Sequence, residues 1–216
     1  MEVTKSDLTT GEELPGAKLQ VVDESGKIVD EWVSEKEPHV IKELAAGKTY
    51  TLVETKPADG YVTAERVEFT IEDTVEIQKV KMEDDVTKVE ISKTDITGKK
   101  ELPGAKLTIL NSEGKVVESW VSSDKPHYIE KLPIGTYTLR EEQAPDGYLV
   151  AEDITFEVKD TAEIQKVIMK DEAKPTDVPK TGDETNLWIP AILMLLSAAG
   201  LAGFAVSRRK KKRKNG

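Results

Sequence analysis

The chain contains one unit written twice. LPGAKLQVVDESGKIVDEWVS begins at Leu14 and LPGAKLTILNSEGKVVESWVS at Leu102, and Trp32 and Trp120, then His39 and His127, keep that spacing. YTLVETKPADGY at Tyr50 matches YTLREEQAPDGY at Tyr137 with one residue fewer in the second copy, and EIQKVKMEDD and EIQKVIMKDE close the two copies. Whatever the fold is, it must be reached by a unit of residues 1–85 and again by 86–172. Each is long enough to fold alone around a modest core.

Within a unit, short β-rich runs alternate with turn signals. Leu107–Leu110, Val116–Val121, Thr136–Leu139 and Ile154–Val158 are separated by SEG and APDG, and sustained helical periodicity is absent. An all-β sandwich of about seven strands per unit is expected. Aromatics make up only 5%, so the cores should be aliphatic. No Gly- or Pro-rich linker divides the copies; a strand ending near Asp84 and another starting near Lys88 predict a stiff join. With no Cys, disulfides and thiolate chemistry are excluded, and two His make a His-based metal site or triad a poor expectation. Trp32 and Trp120 are expected in the core, and His39 and His127 in loops or turns. No calcium-loop pattern accompanies the acidic runs, so neither metal nor cofactor is expected. Met1 aligns with Val89, inside the first strand, without a charged-then-apolar leader, which suggests the C-terminal part of a longer secreted protein or a misassigned start.

The C-terminal region is different. A linker (173–186) leads to Leu187–Val206, an uncharged stretch long enough for a transmembrane helix, and then to a basic tail (207–216) with cations at Arg208–Lys214. The positive-inside rule puts that tail in the cytoplasm and the repeats outside. The chain's net charge of −10 includes this tail, so the repeats are more acidic than the total, which argues against nucleic acid as a partner. Within the linker lies Val178-Pro179-Lys180-Thr181-Gly182. Pentapeptide, apolar span and basic tail resemble the LPxTG-type cell-wall sorting signal of Gram-positive surface proteins, with Val178 at the usual Leu. The resemblance implies that a sortase cuts between Thr181 and Gly182 and passes the Thr181 carboxyl to a peptidoglycan precursor or a pilin lysine, the membrane being only a way station. A permanent membrane stalk is the competing reading.

Strand alternation singles out three polar residues per unit. Tyr50, Leu52 and Glu54 share a face, as do Tyr137, Leu139 and Glu141; Val3 is in phase with Lys5, and Val89 and Ile91 with Lys93; Val80 and Met82 precede Asp84 as Val167 and Met169 precede Asp171. Each apolar row thus ends in a Lys, a Glu or an Asp. Phase alone leaves two outcomes open: side chains curling to solvent or an ordinary ion cluster, and buried groups that react with one another.

VEISKTD, LPGA, YTLxE…DGY and the closing VxMxD resemble the Cna B-type (SpaA-like) domains of Gram-positive adhesins and pilins. The resemblance implies tandem prealbumin-like (Ig-like) β-sandwiches. It also implies intramolecular isopeptide bonds from Lys5 to Asp84 and from Lys93 to Asp171, assisted by Glu54 and Glu141. Burial favours a neutral amine and a protonated carboxyl, and the glutamate moves the proton. This is self-modification and not turnover. The expected role is a wall-anchored stalk of an adhesin or minor pilin, with any host or matrix ligand bound by a part N-terminal to the repeats. A polymerising pilin shaft, or the stalk of a surface enzyme, is the alternative.

Overall fold

The computed structural model describes residues 1–175, which form fourteen strands. The first copy holds β1 (Glu2–Asp7), β2 (Lys18–Asp23), β3 (Ile28–Val33), β4 (His39–Val40), β5 (Thr49–Lys56), β6 (Val67–Thr70) and β7 (Lys79–Asp84). The second holds β8 (Lys88–Asp95), β9 (Lys106–Asn111), β10 (Val116–Val121), β11 (His127–Glu130), β12 (Gly135–Gln143), β13 (Ile154–Val158) and β14 (Ile164–Asp171). Each copy is a two-sheet sandwich. The sheets run β4-β1-β7 and β3-β2-β5-β6 in the first, and β11-β8-β14 and β10-β9-β12-β13 in the second.

Alternation creates the core. Val3, Leu19, Val21, Leu52 and Met82 fill the first sandwich, and Val89, Ile91, Leu107, Ile109, Leu139 and Met169 the second, all essentially inaccessible. Tyr50 stacks on Phe69, and Tyr137 on Phe156, at the margin of each core. The one parallel pairing in each sandwich joins the first strand to the last. Lys5 lies opposite Met82 and Asp7 opposite Asp84; Lys93 lies opposite Met169 and Asp95 opposite Asp171. β1 has six residues where β8 has eight, yet it positions Lys5 in the same register.

The tryptophans pack against the cores as expected, but the histidines they stack on depart from expectation. Trp32 and Trp120 are half-buried at the core margin. His39 and His127 open β4 and β11 and are not loop residues. Each imidazole stacks on its tryptophan, at 4.1 and 4.3 Å between ring centroids, and meets a carboxylate, Asp30 at 2.9 Å or Glu118 at 2.6 Å. Because β3 and β4 belong to different sheets, as do β10 and β11, the stack closes an open edge of the sandwich.

The second sandwich extends past Glu172: Ala173 bridges Tyr148, and the Lys174 N–H donates to the Gly147 carbonyl at 2.8 Å. No described helix is long and apolar enough to cross a membrane. The VPKTG motif, the apolar span and the basic tail lie outside the described residues.

Candidate functional site

The six residues singled out by strand phase converge in two equivalent clusters, one per sandwich. Lys5 on β1 and Asp84 on β7 come from neighbouring parallel strands, and Glu54 reaches them from β5 in the facing sheet. Two residues of stagger set the reach: Lys5 is level with Met82, and its extended side chain runs along the core to the carboxylate at the end of β7. Lys5 Nζ directly contacts Asp84 Oδ1 and lies 2.9 Å from Glu54 Oε1. Lys93 Nζ contacts Asp171 Oδ1 in the same way, with Glu141 Oε1 at 2.8 Å. All six residues are at most 5% exposed, so the side chains do not curl to solvent.

The surrounding sequence fixes the position of each group. The WVS serines, Ser34 and Ser122, donate to the Leu14 and Leu102 carbonyls at 2.6 Å and accept from the Ala17 and Ala105 N–H groups at 2.9 Å. This ties down the LPGA segment, whose leucine N–H donates to the Lys5 or Lys93 carbonyl at 2.7 Å. The Lys5 and Lys93 N–H groups donate to Glu13 and Glu101 at 3.3 and 3.0 Å. The outer oxygen of each cluster glutamate is held too: the Ala64 and Ala151 N–H groups donate to Glu54 Oε2 and Glu141 Oε2 at 2.7 Å. Strand phase located the three polar groups of each cluster but not these supports, which come from loops with no periodic pattern. Their only signal was the recurrence of WVS and LPGA at fixed spacing.

The electrostatics favour one extra proton. A buried lysine facing two ionised carboxylates would leave a net negative charge out of water. Burial pushes the Asp84 carboxyl up to about 7; the Lys5 ammonium opposes the rise, and the charge of Glu54 adds to it. Asp171 is raised for the same reasons, burial first. Asp84 Oδ2 and Asp171 Oδ2 are buried without a hydrogen-bond partner. A proton on that oxygen brings the cluster to neutrality. Amine, carboxyl carbon and the neighbouring glutamate are then held together out of contact with bulk solvent, an arrangement suited to condensation.

Comparison with known proteins bears on the fold and the anchor. The SpaA family of prealbumin-like fold domains matches residues 1–86 and 87–173, and the LPXTG cell wall anchor motif matches 178–213. Among solved structures, the Bacillus anthracis TIE protein is 35% identical over 79% of this chain, with a TM-score of 0.50. The chain spans only 34% of that protein's length. A streptococcal ancillary pilin is 19% identical, with 81% of this chain and 62% of that one covered and a TM-score of 0.36. The C-terminal fragment of the pilus adhesin SpaC from Lactobacillus rhamnosus GG is 15% identical, with 80% and 97% covered and a TM-score of 0.44. No curated protein matches significantly. The anchor motif marks the chain for sortase processing and covalent attachment to the Gram-positive cell wall surface. With two prealbumin-like fold domains ahead of an LPXTG cell wall anchor motif, the chain belongs to the SpaA-domain family of wall-anchored surface proteins.

Proposed function

We propose that the chain is the load-bearing stalk of a sortase-anchored adhesin or minor pilin, and that each sandwich is stapled by an isopeptide bond it makes itself. The observation that carries this reading is the twice-built contact of a buried lysine, a buried aspartic acid and a clamped glutamate between first and last strands. Glu54 or Glu141 first takes one proton from the lysine ammonium, and the neutral Nζ then attacks the Cγ of the protonated aspartic acid. The glutamic acid gives its proton to the departing Oδ2 hydroxyl and takes another from the forming amide nitrogen. A C–N bond forms, a C–O bond breaks, and one water leaves per domain. The glutamate side chain remains, now protonated, but the lysine and aspartate are consumed, so the event occurs once.

The mechanical consequence follows from the parallel pairing. Load entering along β1 crosses at Lys5 to Asp84 and leaves through the end of β7, bypassing residues 6–83; β8 and β14 repeat the path. Covalent bonds then carry the force, and the hydrogen bonds between strands do not.

Anchoring is assigned to Thr181, whose carboxyl joins a cell-wall amine after cleavage before Gly182. In a Gram-positive host carrying the matching sortase, Thr181→Ala should move the protein from the wall fraction to the membrane fraction. Wall attachment that survives the substitution would refute this assignment.

A further inference from the structure

The two sandwiches meet through a contact that the repeat itself does not require. At the end of the first, the Asp7 carboxylate accepts the Thr9 and Thr10 N–H groups and the Tyr61 hydroxyl, the last at 2.8 Å. Into this socket comes Lys131 from the second sandwich. Its Nζ donates to Tyr61 Oη at 2.6 Å and to Asp7 Oδ2 at 3.1 Å, closing a triangle. Around it, the Lys131 N–H donates to the Thr87 carbonyl at 3.1 Å, and the Thr87 hydroxyl donates to the Leu132 carbonyl at 2.6 Å. Thr63 donates through its N–H and its hydroxyl to Asp160, at 2.8 and 2.7 Å. The backbones touch as well: a Cβ at Gly60 would sit 2.5 Å from the Lys131 carbonyl oxygen.

Comparison within the chain separates what belongs to the repeat from what belongs to the joint. Lys131 and Glu43 occupy the same turn in the two copies, with φ of 62° and 63°, so the turn presents an outward residue in both. Only the second copy places a cation there. The residues equivalent to the socket, Asp95, Gly147 and Tyr148, form the corresponding end of the second sandwich. There Tyr148 is half-exposed, and a Cβ at Gly147 would meet nothing within 4 Å.

We propose that Lys131 is a latch that locks the two sandwiches in one fixed orientation, with Asp7 and Tyr61 as its receptor. The latch is an ion pair and not a third staple. Burial pushes the Asp7 carboxyl up, but the Thr10 N–H, the Tyr61 hydroxyl, the Thr9 N–H and Lys131 together hold it well below the usual carboxylate range. Asp7 is therefore an ionised, poorly electrophilic partner, the opposite of Asp84. The latch also covers the stretch that internal staples would leave unprotected, from Asp84 to Lys93. It depends on no isopeptide bond.

The absence of native cysteine allows a direct test on residues 1–176, which form a compact unit of their own. Spin labels at Glu31→Cys and Glu157→Cys, exposed strand positions in the two sandwiches, report the distribution of inter-domain distances by electron double resonance. The expected result is one narrow distance that broadens at least twofold in Lys131→Ala and in Tyr61→Phe, with both domains still folded by near-ultraviolet circular dichroism. Lys131→Arg should retain most of the narrowness. A broad distribution in the parent, or widths unchanged in both Lys131→Ala and Tyr61→Phe, would overturn the latch.

Discussion

Glu141→Ala should abolish bond formation in the second sandwich alone and lower that domain's melting temperature by roughly 20 °C. Among the described residues, Glu141 and Asp171 are the carboxylates paired with Lys93 Nζ, and the Ala151 N–H holds Glu141 there. Without it the amine has no proton acceptor, and Lys93 and Asp171 remain an unjoined pair. The proposed bond would join residues 78 apart, for which the chain-entropy relation for a cross-link gives about 4.5 kcal/mol. The first sandwich keeps its own cluster and should be unaffected. Differential scanning calorimetry should resolve one lowered and one unchanged transition, and intact mass should show a single water lost. Loss of two waters in this variant would exclude Glu141 as the proton carrier.

A larger effect is expected from Lys93→Met. This side chain fills a similar volume, but Glu141 and Asp171 are left buried without a cation. The cross-link contribution disappears, and stranding one side of a buried ion cluster costs about 3–5 kcal/mol more. This instability should depend on pH. Burial already holds Asp171 above its ordinary range in the presence of the lysine that opposes the rise. A folded-state pKa above the unfolded one means that the stabilisation is complete below about pH 4 and is lost as pH rises through the folded value. Urea titrations of Lys93→Met should therefore give higher stability at pH 4.5 than at pH 8. Under the proposed cross-link, Asp171 of the parent would be an amide unable to titrate, so this component should be missing. Equal stability of the variant at the two pH values would contradict the burial argument.

The repeat and the two-residue alternation made most of this architecture legible in the sequence. Leu52 and Glu54 lie one pleat apart, so if one faces the core the other must, and the same logic carried Lys5 and Asp84 inward. Alternation is local. It says which face a side chain takes but not which strands become neighbours, so the pairing of Lys5 with Asp84 came from the family resemblance, and the parallel β1–β7 ladder that brings them together came from the structure. The histidines show the same limit. Pro38 and Pro126 suggested loops, but the next residues start edge strands whose place is set by stacking on distant tryptophans. The latch was least legible. Lys131 lies 124 residues from Asp7, outside any periodic pattern, and its one trace in the sequence is the change from Glu43 to Lys131 between two otherwise similar copies.

Intact mass spectrometry of residues 1–176 tests the stapled stalk most directly. The account predicts a mass lower than the sequence mass by two waters. After digestion, one branched peptide should join the Lys5 and Asp84 segments, and another the Lys93 and Asp171 segments. A mass equal to the sequence mass would contradict it, leaving two buried ion clusters and no covalent path for load.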